Sequence, residues 1–508
     1  MATRETNKKP EKKEHEKEVV AVPESKLHLL RGFKDIFPTD QPYWDRVRAL
    51  ADALATSYGY ERMDTPILEE TALFTRAAST SAAGDEQPFF SFTEYGGEQV
   101  TLRPEGRTGV VRAYIEHGMV NHPQPVKLWY LGPMFRSDRP QAGRLRQFHQ
   151  FGLEALGELH PAADAELIAI AASFFRDLGI AIVAQVNSIG CSQCREKYLE
   201  ELTNYLKVHR TQLSEAARAI IGQSPFTVLE SRAAEDREVI ESAPQMVDWL
   251  CEPCKQHFIR VLEYLDEYDV SYALAPFLVR GVDSYTRTIF ELLPAEAFTE
   301  GSPLPMQNAL AAGGRYDTLV ERLGGRATPA TGIAFGLERI VAKYKEAIAA
   351  GTAAPPAPRT PDVYLAQLGD QAKRKAMRLF DVLRKEEFTV AAHFSKDALK
   401  AQLEHANRLQ AKLTLILGQK EVIDETIIIR EMSSGIQEIV PFSRIAEEVK
   451  KRLEHDEVHE TVDETLKVAE ERSLTEEEER ARVRTPEPKE ETAEDEEEPG
   501  AGGEGFSS

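Results

Sequence analysis

Apolar positions along residues 27–348 follow two periods, which predict helices interleaved with short strands. Between Tyr43 and Leu54 they recur with the 3.6-residue period of a helix, which we expect to end at Gly59. Further helical patterns cover residues 105–117 and 162–178. Strand patterns cover residues 98–102, 126–135, 144–155, 277–293, 307–313 and 330–335, and residues 60–70 are predicted as a strand broken by Pro66. Because strands from distant parts of the chain are separated by helices, we expect an α+β domain with an antiparallel sheet.

Two other stretches show different patterns. Residues 190–270 are helical and charged, which predicts an insertion into the first domain. Residues 349–361 are rich in proline and alanine and are typical of a linker. Residues 362–452 then alternate as β-α-β-α-β, which predicts a separate, small α/β domain with a largely parallel sheet.

Both ends of the chain are rich in charge. Residues 1–26 have mixed charges and lack the apolar core of a signal peptide. Residues 453–508 hold 21 acidic and 6 basic residues, so this tail carries −15 of the formal net charge of −22. Such a composition buries too little apolar surface to fold, so we expect two disordered tails. The acidic tail is interpreted as a solvated extension, with recruitment of a partner or exclusion of non-cognate RNA as alternatives.

The chain has no apolar run that approaches the ~18 residues needed to cross a bilayer. Together with the missing signal peptide, this favours a soluble cytoplasmic protein with no membrane partner.

All four cysteines fall in two CxxC pairs, which are Cys191 with Cys194 and Cys251 with Cys254. Two residues between thiols allow both sulfurs to face one ion, and four thiolates leave no open position, so the pattern favours structural zinc. The 56 residues between the pairs exceed the ~15–20 of a zinc ribbon, so a helical insertion has to bring the pairs together. Unrelated buried thiols or a disulfide are the alternatives.

The stretch from Phe135 to Glu154 carries four arginines around a Pro-Gln-Ala-Gly turn. The alternation of a strand places Gln150, Gly152 and Glu154 on one face. A surface hairpin decorated with arginines for solubility is one interpretation. Polar groups that converge on a face floored by glycine instead indicate a pocket for a polar cation and a phosphate.

Other segments could contribute to the same pocket. TLRPEGRTG places Glu105 at the start of a helix, and AAGGRYD is a glycine-rich turn that a ligand could approach closely. LVRGVDSYT places Arg280 in an otherwise apolar strand, where an unpaired guanidinium is costly unless it meets an anion. TGIAFGLERI leads into a helix that carries Glu338 and Arg339. Each segment alone has an ordinary structural explanation, whereas their joint presence favours a binding site.

Together these segments resemble the histidyl-tRNA synthetases, which are class II aminoacyl-tRNA synthetases, over residues 28–452. LRGFKDIFP matches the family's opening, RMDTPILEE resembles the dimer-interface strand of motif 1, FRSDRPQAGRLRQFHQFGLEALG resembles motif 2, and GIAFGLERI resembles motif 3. LVRGVDSYT and AAGGRYD resemble the two histidine-specific signatures. Residues 362–452 are similar to the family's anticodon-binding domain.

The resemblance implies a homodimeric histidine–tRNA ligase whose substrates are L-histidine, ATP with Mg²⁺, and tRNA-His. In this family's chemistry, Arg136 would hold the α-phosphate of ATP and Arg339 the γ-phosphate. Arg280 would be the cation that stabilises the transition state when the histidine carboxylate attacks the α-phosphorus. Asp138 matches the motif 2 position that reaches toward adenine.

The resemblance also implies an amino-acid pocket. Glu105 and Gln150 would bind the α-ammonium group, Glu154 and Tyr285 would orient the imidazole, and Tyr316 would line the same pocket.

Three positions depart from the family pattern. Arg107 stands where the family usually has threonine, and Ser284 replaces the first of two paired tyrosines. Asp138 replaces the usual glutamate and is one carbon shorter.

Two other functions are weighed against the ligase. A non-catalytic, histidine-sensing paralogue, like the regulatory subunit of ATP phosphoribosyltransferase, would lack an anticodon-binding domain, so residues 362–452 count against it. A zinc-stabilised RNA-binding protein without catalysis would not require Arg136, Arg280 and Arg339 to coexist.

Overall fold

The chain forms two compact units, Met1–Ala357 and Pro358–Ser508. The computed structural model describes residues 28–78, 89–137, 145–231, 233–279, 285–298, 309–395 and 398–454. Within these residues, every helix is too short or too polar to span a lipid bilayer.

The first unit is built from eleven strands and eleven helices among the described residues. The strands are β1 (Glu61–Arg62), β2 (Leu68–Glu70), β3 (Ser91–Thr93), β4 (Gln99–Leu102), β5 (Val126–Phe135), β6 (Gln147–Leu156), β7 (Ile182–Ser188), β8 (Tyr272–Leu274), β9 (Thr286–Pro294), β10 (Ala311–Arg315) and β11 (Ala330–Gly336). The helices are α1 (Gln41–Ser57), α2 (Thr71–Ala77), α3 (Arg107–Glu116), α4 (Ala162–Asp177), α5 (Ser192–Val208), α6 (Glu215–Ile220), α7 (Pro225–Leu229), α8 (Arg237–Glu241), α9 (Glu252–Glu267), α10 (Leu319–Arg322) and α11 (Leu337–Ala349).

The main sheet has eight strands in the order β1-β5-β6-β11-β10-β9-β7-β8. The strands from β5 to β7 in this order pair antiparallel, and only the two end pairs, β1 with β5 and β7 with β8, are parallel. The predicted antiparallel sheet is therefore confirmed for its central strands. A second, three-stranded antiparallel sheet has the order β2-β4-β3.

The strand predicted over residues 60–70, broken by Pro66, forms two short strands. That stretch forms β1 in the large sheet and β2 in the small one, with Pro66 between them. Proline lacks the N–H that a continuous strand would have to donate to its neighbour, so the chain changes sheets there.

The strand predicted over residues 277–293 begins later in the chain than expected. Residues 277–279 are not in a strand, and β9 begins at Thr286.

The hairpin of β5 and β6 separates two apolar layers. Trp129, Phe151 and Leu153 lie in the layer that also contains buried residues of α1, α4 and α11. Leu128 and Tyr130 lie in the opposite layer, with buried residues of α3 and α10. The alternation predicted for this hairpin is thus present, and it assigns the even-numbered residues of β6 to the second layer.

The insertion predicted between residues 190 and 270 is helical, with α5 to α8 and the start of α9 packed around one apolar cluster. The rest of α9 packs into the main core through Phe258, Val261 and Leu265. The chain leaves the main sheet through β7 and re-enters it through β8, so the insertion is attached at the end of the sheet.

A buried ionic cluster joins α9 to the rest of the first unit. Arg315 is fully buried and donates to both oxygens of Asp164, at 2.8 and 3.2 Å. His257 of α9 lies 3.1 Å from the same carboxylate. Burial lowers the pKa of His257 to about 4, although Asp164 acts in the opposite direction, so the ring is neutral near pH 7. Arg315 and Asp164 are therefore the charged partners.

We expect Asp164→Ala to destabilise the first unit by about 3–5 kcal/mol, because it removes the fully buried counter-ion of Arg315 and leaves the guanidinium, among the described residues, with only the partly exposed Asp317 at 3.3 Å. Thermal unfolding of the purified full chain measures the effect. Asp64→Ala is the matched control, since Asp64 lies on the surface of the same unit and pairs with Arg62. If the two variants unfold at the same temperature, the cluster does not stabilise the unit.

Among the described residues, the second unit contains five strands, three helices and a last helical segment. They are β12 (Val363–Gln367), α12 (Asp370–Lys385), β13 (Val390–Ala392), α13 (Leu399–Arg408), β14 (Leu413–Leu417), α14 (Gln419–Ile423), β15 (Thr426–Glu431) and β16 (Gln437–Pro441). Residues 445–454 form a last helical segment.

Its sheet has the order β13-β12-β14-β15-β16 and is mixed rather than largely parallel. The pairs of β12 with β13 and β14 are parallel, whereas β15 pairs antiparallel with both β14 and β16. A parallel pairing needs a crossover of about a dozen residues or more. The eight residues from 418 to 425 are too few for one, which explains the antiparallel pairing of β14 with β15.

Candidate active site

Glycines and one tyrosine form the floor of a polar pocket on the even-numbered face of β6. Gly152 lies opposite Tyr130 of β5 in the hairpin register. A Cβ atom on Gly152 would lie 2.2 Å from the Tyr130 ring, and one on Gly106 would lie 2.1 Å from the same ring. Only glycine fits at these two positions, because the ring occupies the space of any side chain there.

Gln150 connects Tyr130 to the start of α3 through two hydrogen bonds. Its side-chain carbonyl accepts a hydrogen bond from the Gly106 N–H at 3.0 Å and one from the Tyr130 hydroxyl at 3.1 Å. These bonds fix the orientation of the amide, so Gln150 presents its N–H₂ group in a defined direction.

Glu154 is the buried acid of the pocket and is fully inaccessible to solvent. Its Oε2 atom accepts a hydrogen bond of 2.5 Å from the Tyr316 hydroxyl, while Oε1 has no hydrogen-bond partner within the described part of the chain. Gly332 lies opposite Glu154 on β11, and a Cβ atom there would lie 1.8 Å from Oε2. The carboxylate therefore fits only because β11 has a glycine at this register.

Burial raises the pKa of Glu154 to about 7, although Arg107 and the Tyr316 hydroxyl both act to lower it. A carboxyl group that titrates near neutral pH can accept or donate a hydrogen bond. It is therefore suited to a ligand group that titrates in the same range, such as an imidazole.

Arg107 lies at the centre of these groups. Its guanidinium carbon is 4.8 Å from the centre of the Tyr285 ring and 4.7 Å from that of Tyr316. Nη2 donates to the Tyr285 hydroxyl at 2.8 Å, and Nε is 3.6 Å from Oε2 of Glu154. The residue noted in the sequence only as a departure from the family pattern thus contacts three of the predicted histidine-binding residues.

Glu105 caps the first turn of α3. Its two carboxylate oxygens accept hydrogen bonds from the backbone N–H groups of Arg107, at 2.8 Å, and Thr108, at 2.9 Å. A carboxylate at this end of a helix is stabilised by the free N–H groups and the helix dipole. The structure therefore fixes Glu105 beside the pocket.

Two of the predicted phosphate-binding arginines are described. Arg136 follows β5, donates from Nε to the Pro104 carbonyl at 3.3 Å, and lies 4.7 Å from the centre of the Phe148 ring. Arg339 is the third residue of α11 and donates to the Ala309 carbonyl at 3.1 Å.

Arg280, Asp138 and Ser284 lie outside the described residues. Their predicted contributions to the site, and the effects of the last two as departures from the family pattern, stay predictions.

Sequence reasoning missed one contributor to the site, Tyr130, and the bonding partner of another, Glu338. Tyr130 lies on the pocket face of β5, and strand alternation with hairpin register could have placed it opposite Gly152. Glu338 accepts hydrogen bonds from the backbone N–H of His149, at 2.9 and 3.0 Å, and fastens the start of α11 to β6. No sequence signal indicated this pairing.

The four cysteines converge at the two ends of the insertion. Cys191 and Cys251 precede α5 and α9, and each CxxC pair continues into the first turn of its helix. The four sulfur atoms lie within 4.8 Å of one another, with Cys191 3.6 Å from Cys194 and 3.9 Å from Cys251. All four thiols are free, so the structure contains no disulfide between them.

Comparison with known proteins assigns both units. The model of the histidyl-tRNA synthetase family matches residues 32–340, and that of the anticodon-binding domain matches residues 362–452. The histidine–tRNA ligase of Dehalococcoides mccartyi is 40% identical over 424 residues, which cover 83% of this chain and 99% of that protein. The histidine–tRNA ligase of Natranaerobius thermophilus is 38% identical over the same length, with 98% of that protein covered.

A solved structure agrees with these relatives. The apo histidyl-tRNA synthetase of S. aureus superimposes with a TM-score of 0.69 at 32% identity, over 84% of this chain and 100% of that one. The class II fold with a C-terminal anticodon-binding domain, predicted from the sequence, is thereby confirmed. This chain belongs to the histidyl-tRNA synthetase family.

Proposed function

We infer that the chain is a histidine–tRNA ligase, an enzyme that activates L-histidine with ATP and transfers it to the 3′ end of tRNA-His. The observation that carries this inference is the pocket in which Gln150, Glu154, Tyr285 and Tyr316 converge on a glycine floor. Its buried carboxylate and hydroxyl groups would be left unpaired by an apolar side chain, so the pocket favours a flat side chain with N–H donors, as histidine has.

In the first step, an oxygen of the histidine carboxylate forms a bond to the α-phosphorus of ATP, and the bond to the pyrophosphate leaving group breaks. We assign Glu105 and Gln150 to the substrate ammonium group, and Glu154 and Tyr285 to the imidazole, with Tyr316 lining the pocket. Hydrogen bonds hold the Glu105 carboxylate and the Gln150 amide in place before a substrate arrives, which supports this assignment.

Fixed positive charge stabilises the phosphates during this step. We assign the α-phosphate to Arg136, the γ-phosphate to Arg339 and the transition-state charge to Arg280, with Asp138 toward the adenine. ATP enters as its magnesium complex, in which Mg²⁺ neutralises part of the phosphate charge. The contacts of Arg136 with the Pro104 carbonyl and the Phe148 ring support its role, because they orient the guanidinium in advance.

In the second step, a hydroxyl of the terminal ribose of tRNA attacks the carbonyl carbon of histidyl-adenylate, and AMP leaves. We propose that residues 362–452 bind the anticodon region of this tRNA. Helix α12 supports the proposal because it exposes Arg374 and Arg378 one turn apart, next to Lys373, despite the acidic total charge.

The regulatory-subunit alternative is disfavoured by the second unit. Such a subunit lacks an anticodon-binding domain, whereas residues 362–452 match the model of that domain. Relatives that carry the ligase name also align over 98–99% of their own length.

We propose that the enzyme acts as a homodimer in the cytoplasm, with the small sheet at the interface. Ile67, Leu68 and Phe92, on or beside β2 and β3, are 43–47% exposed, and Tyr95 is fully exposed. Apolar side chains grouped at the edge of a small sheet are typical of a surface that another copy covers.

We propose that Cys191, Cys194, Cys251 and Cys254 hold a structural zinc ion. Tetrahedral Zn–S bonds of about 2.3 Å place neighbouring sulfurs about 3.8 Å apart. The measured separations of 3.6 and 3.9 Å fit that geometry. Zinc would cross-link the starts of α5 and α9 and thereby hold the two ends of the insertion together.

We expect the full chain to contain close to one zinc per protomer and a variant with Cys191→Ser and Cys194→Ser to contain almost none, because two ligands cannot retain the ion. Metal analysis of both purified proteins measures this. Because no other cysteine is available, a variant with Ser192→Ala and Gln193→Ala between the thiols is the matched control. Equal zinc in the double serine variant and the wild type would exclude the site.

The proposed function is tested by charging tRNA. With L-histidine and ATP, we expect the enzyme to esterify tRNA-His and to leave tRNAs for other amino acids uncharged. Formation of histidyl-adenylate without transfer to any tRNA would contradict the ligase assignment.

A further inference from the structure

Arg107 occupies the part of the pocket that the proposed function assigns to the amino-acid side chain. Its guanidinium lies between the rings of Tyr285 and Tyr316, at 4.8 and 4.7 Å from their centres. Its nitrogens contact the Tyr285 hydroxyl and the Glu154 carboxylate. Glu154 and Tyr285 are the same two groups that we assign to the imidazole of histidine.

A guanidinium and an imidazolium are chemically similar ligands for such a site. Both are flat, delocalised cations with N–H donors at their edges, and both stack on aromatic rings. A pocket that binds an imidazolium can therefore also hold the guanidinium of a side chain tethered beside it, as Arg107 is at the start of α3.

The pocket has no room for both groups. Its floor is closed by the Tyr130 ring, which leaves no space for even a methyl group at Gly106 or Gly152. The Glu154 carboxylate is fully buried, and its Oε2 atom lies against Gly332, the Tyr316 hydroxyl and the Arg107 Nε atom. An imidazole that reaches Glu154 must therefore take the space of the Arg107 guanidinium.

The fold does not require this position of the Arg107 side chain. Glu105 caps α3 through the backbone N–H of Arg107, which any residue except proline supplies. A cation in the first turn also opposes the helix dipole. The buried Nε atom of Arg107 has no hydrogen-bond partner among the residues that the structure describes, so the guanidinium is incompletely satisfied where it lies. These features make the side chain displaceable.

We propose that Arg107 is an internal occupant of the amino-acid pocket and that histidine binds only after displacing it. The proposal rests on the proposed function, because it takes Glu154 and Tyr285 as the groups that bind the imidazole. The apparent Kd for histidine then equals the Kd of the open pocket divided by the fraction of molecules in which the pocket is open. Arg107 thus sets the histidine concentration at which the enzyme works, and the threonine usual in the family would not impose this cost.

The test compares L-histidine binding to the wild type and to Arg107→Thr by isothermal titration calorimetry. We expect the Kd for histidine to fall about tenfold or more in the variant, because the open fraction rises toward one, while the Kd for ATP stays unchanged. Arg237→Thr is the matched control, since Arg237 pairs with Glu241 on the surface of the insertion. We expect its Kd for histidine to equal that of the wild type.

Guanidinium ion provides a readout that a purely structural role of Arg107 would not give. In Arg107→Thr, millimolar guanidinium chloride should refill the vacated position and raise the apparent Kd for histidine, relative to sodium chloride at equal ionic strength. In the wild type the two salts should have the same effect. If Arg107→Thr does not fold, Arg107→Lys replaces it in both measurements. Lysine keeps the charge but not the planar fork, so we expect a Kd for histidine below that of the wild type.

The outcomes separate this proposal from the proposed function. A wild type that activates histidine, together with an unchanged or higher Kd in the variant, overturns the role of Arg107 alone. If neither the wild type nor the variant binds histidine, both proposals are overturned. A lower Kd with specific competition by guanidinium supports both.

Discussion

Glu154→Gln should reduce kcat/KM for histidine in the activation reaction by about 10²–10³-fold, because the imidazole loses the carboxylate acceptor that we assign to it. Glutamine has nearly the same size, so the close fit against Gly332 is kept. Its amide, however, offers one acceptor oxygen and places an N–H₂ group where Glu154 has a second oxygen. We expect most of this reduction to come from a higher KM for histidine, with little change in the KM for ATP. Histidine-dependent exchange of labelled pyrophosphate into ATP measures both constants.

Glu116→Gln is the matched control for this prediction. Glu116 ends α3, is exposed to solvent, and pairs only with Arg112 among the described residues. A surface pair of this kind contributes little, so exchange should stay at the wild-type rate. Normal exchange in Glu154→Gln would show that the imidazole binds elsewhere.

Arg136→Ala should reduce the rate of exchange by about 10³-fold while histidine binding is retained, because the α-phosphate loses a fixed charge where negative charge develops. Arg136 is oriented before ATP binds by the Pro104 carbonyl and the Phe148 ring. The alanine variant should therefore lose mainly kcat. Histidine titration and pyrophosphate exchange on the same preparation separate the two effects.

Arg136→Lys distinguishes charge from geometry. Lysine keeps a cation but cannot donate through two parallel N–H groups, so we expect it to recover only part of the lost rate. If Arg136→Ala exchanges pyrophosphate at the wild-type rate, the assignment of Arg136 to the α-phosphate is wrong.

Strand alternation was sufficient to predict the polar face of β6. The two-residue period of β6 places Gln150, Gly152 and Glu154 on one face, independently of the rest of the fold. The structure adds that Gly332, from a strand distant in sequence, supplies the space for the Glu154 carboxylate. Such a contact depends on the register of β6 with β11, which no local pattern determines.

The direction of the Arg107 side chain could not be predicted from the sequence. At the first residue of a helix, a long side chain can extend into solvent or fold back, and the choice depends on what surrounds it. Here it is decided by Tyr285 and Tyr316, which are about 180 and 210 residues away in sequence. The sequence indicated only that a cation replaces the threonine of the family pattern.

Two adjacent residues of the AAGGRYD segment take part in different clusters, which the sequence did not show. Arg315 and Tyr316 are adjacent, yet Tyr316 faces Glu154 and Arg315 joins Asp164 in the buried cluster with α9. Arg315 was not singled out because its partners come from α4 and from the backbone near His160. The mixed sheet of the second unit was missed for a related reason, since strand direction depends on connection length rather than on apolar pattern.

The central claim is that this pocket activates histidine. The most direct measurement is exchange of labelled pyrophosphate into ATP by the purified full chain, with each of the twenty amino acids tested in turn. We expect exchange with L-histidine alone. Exchange supported by a different amino acid, or no exchange while histidine still binds, would contradict the claim.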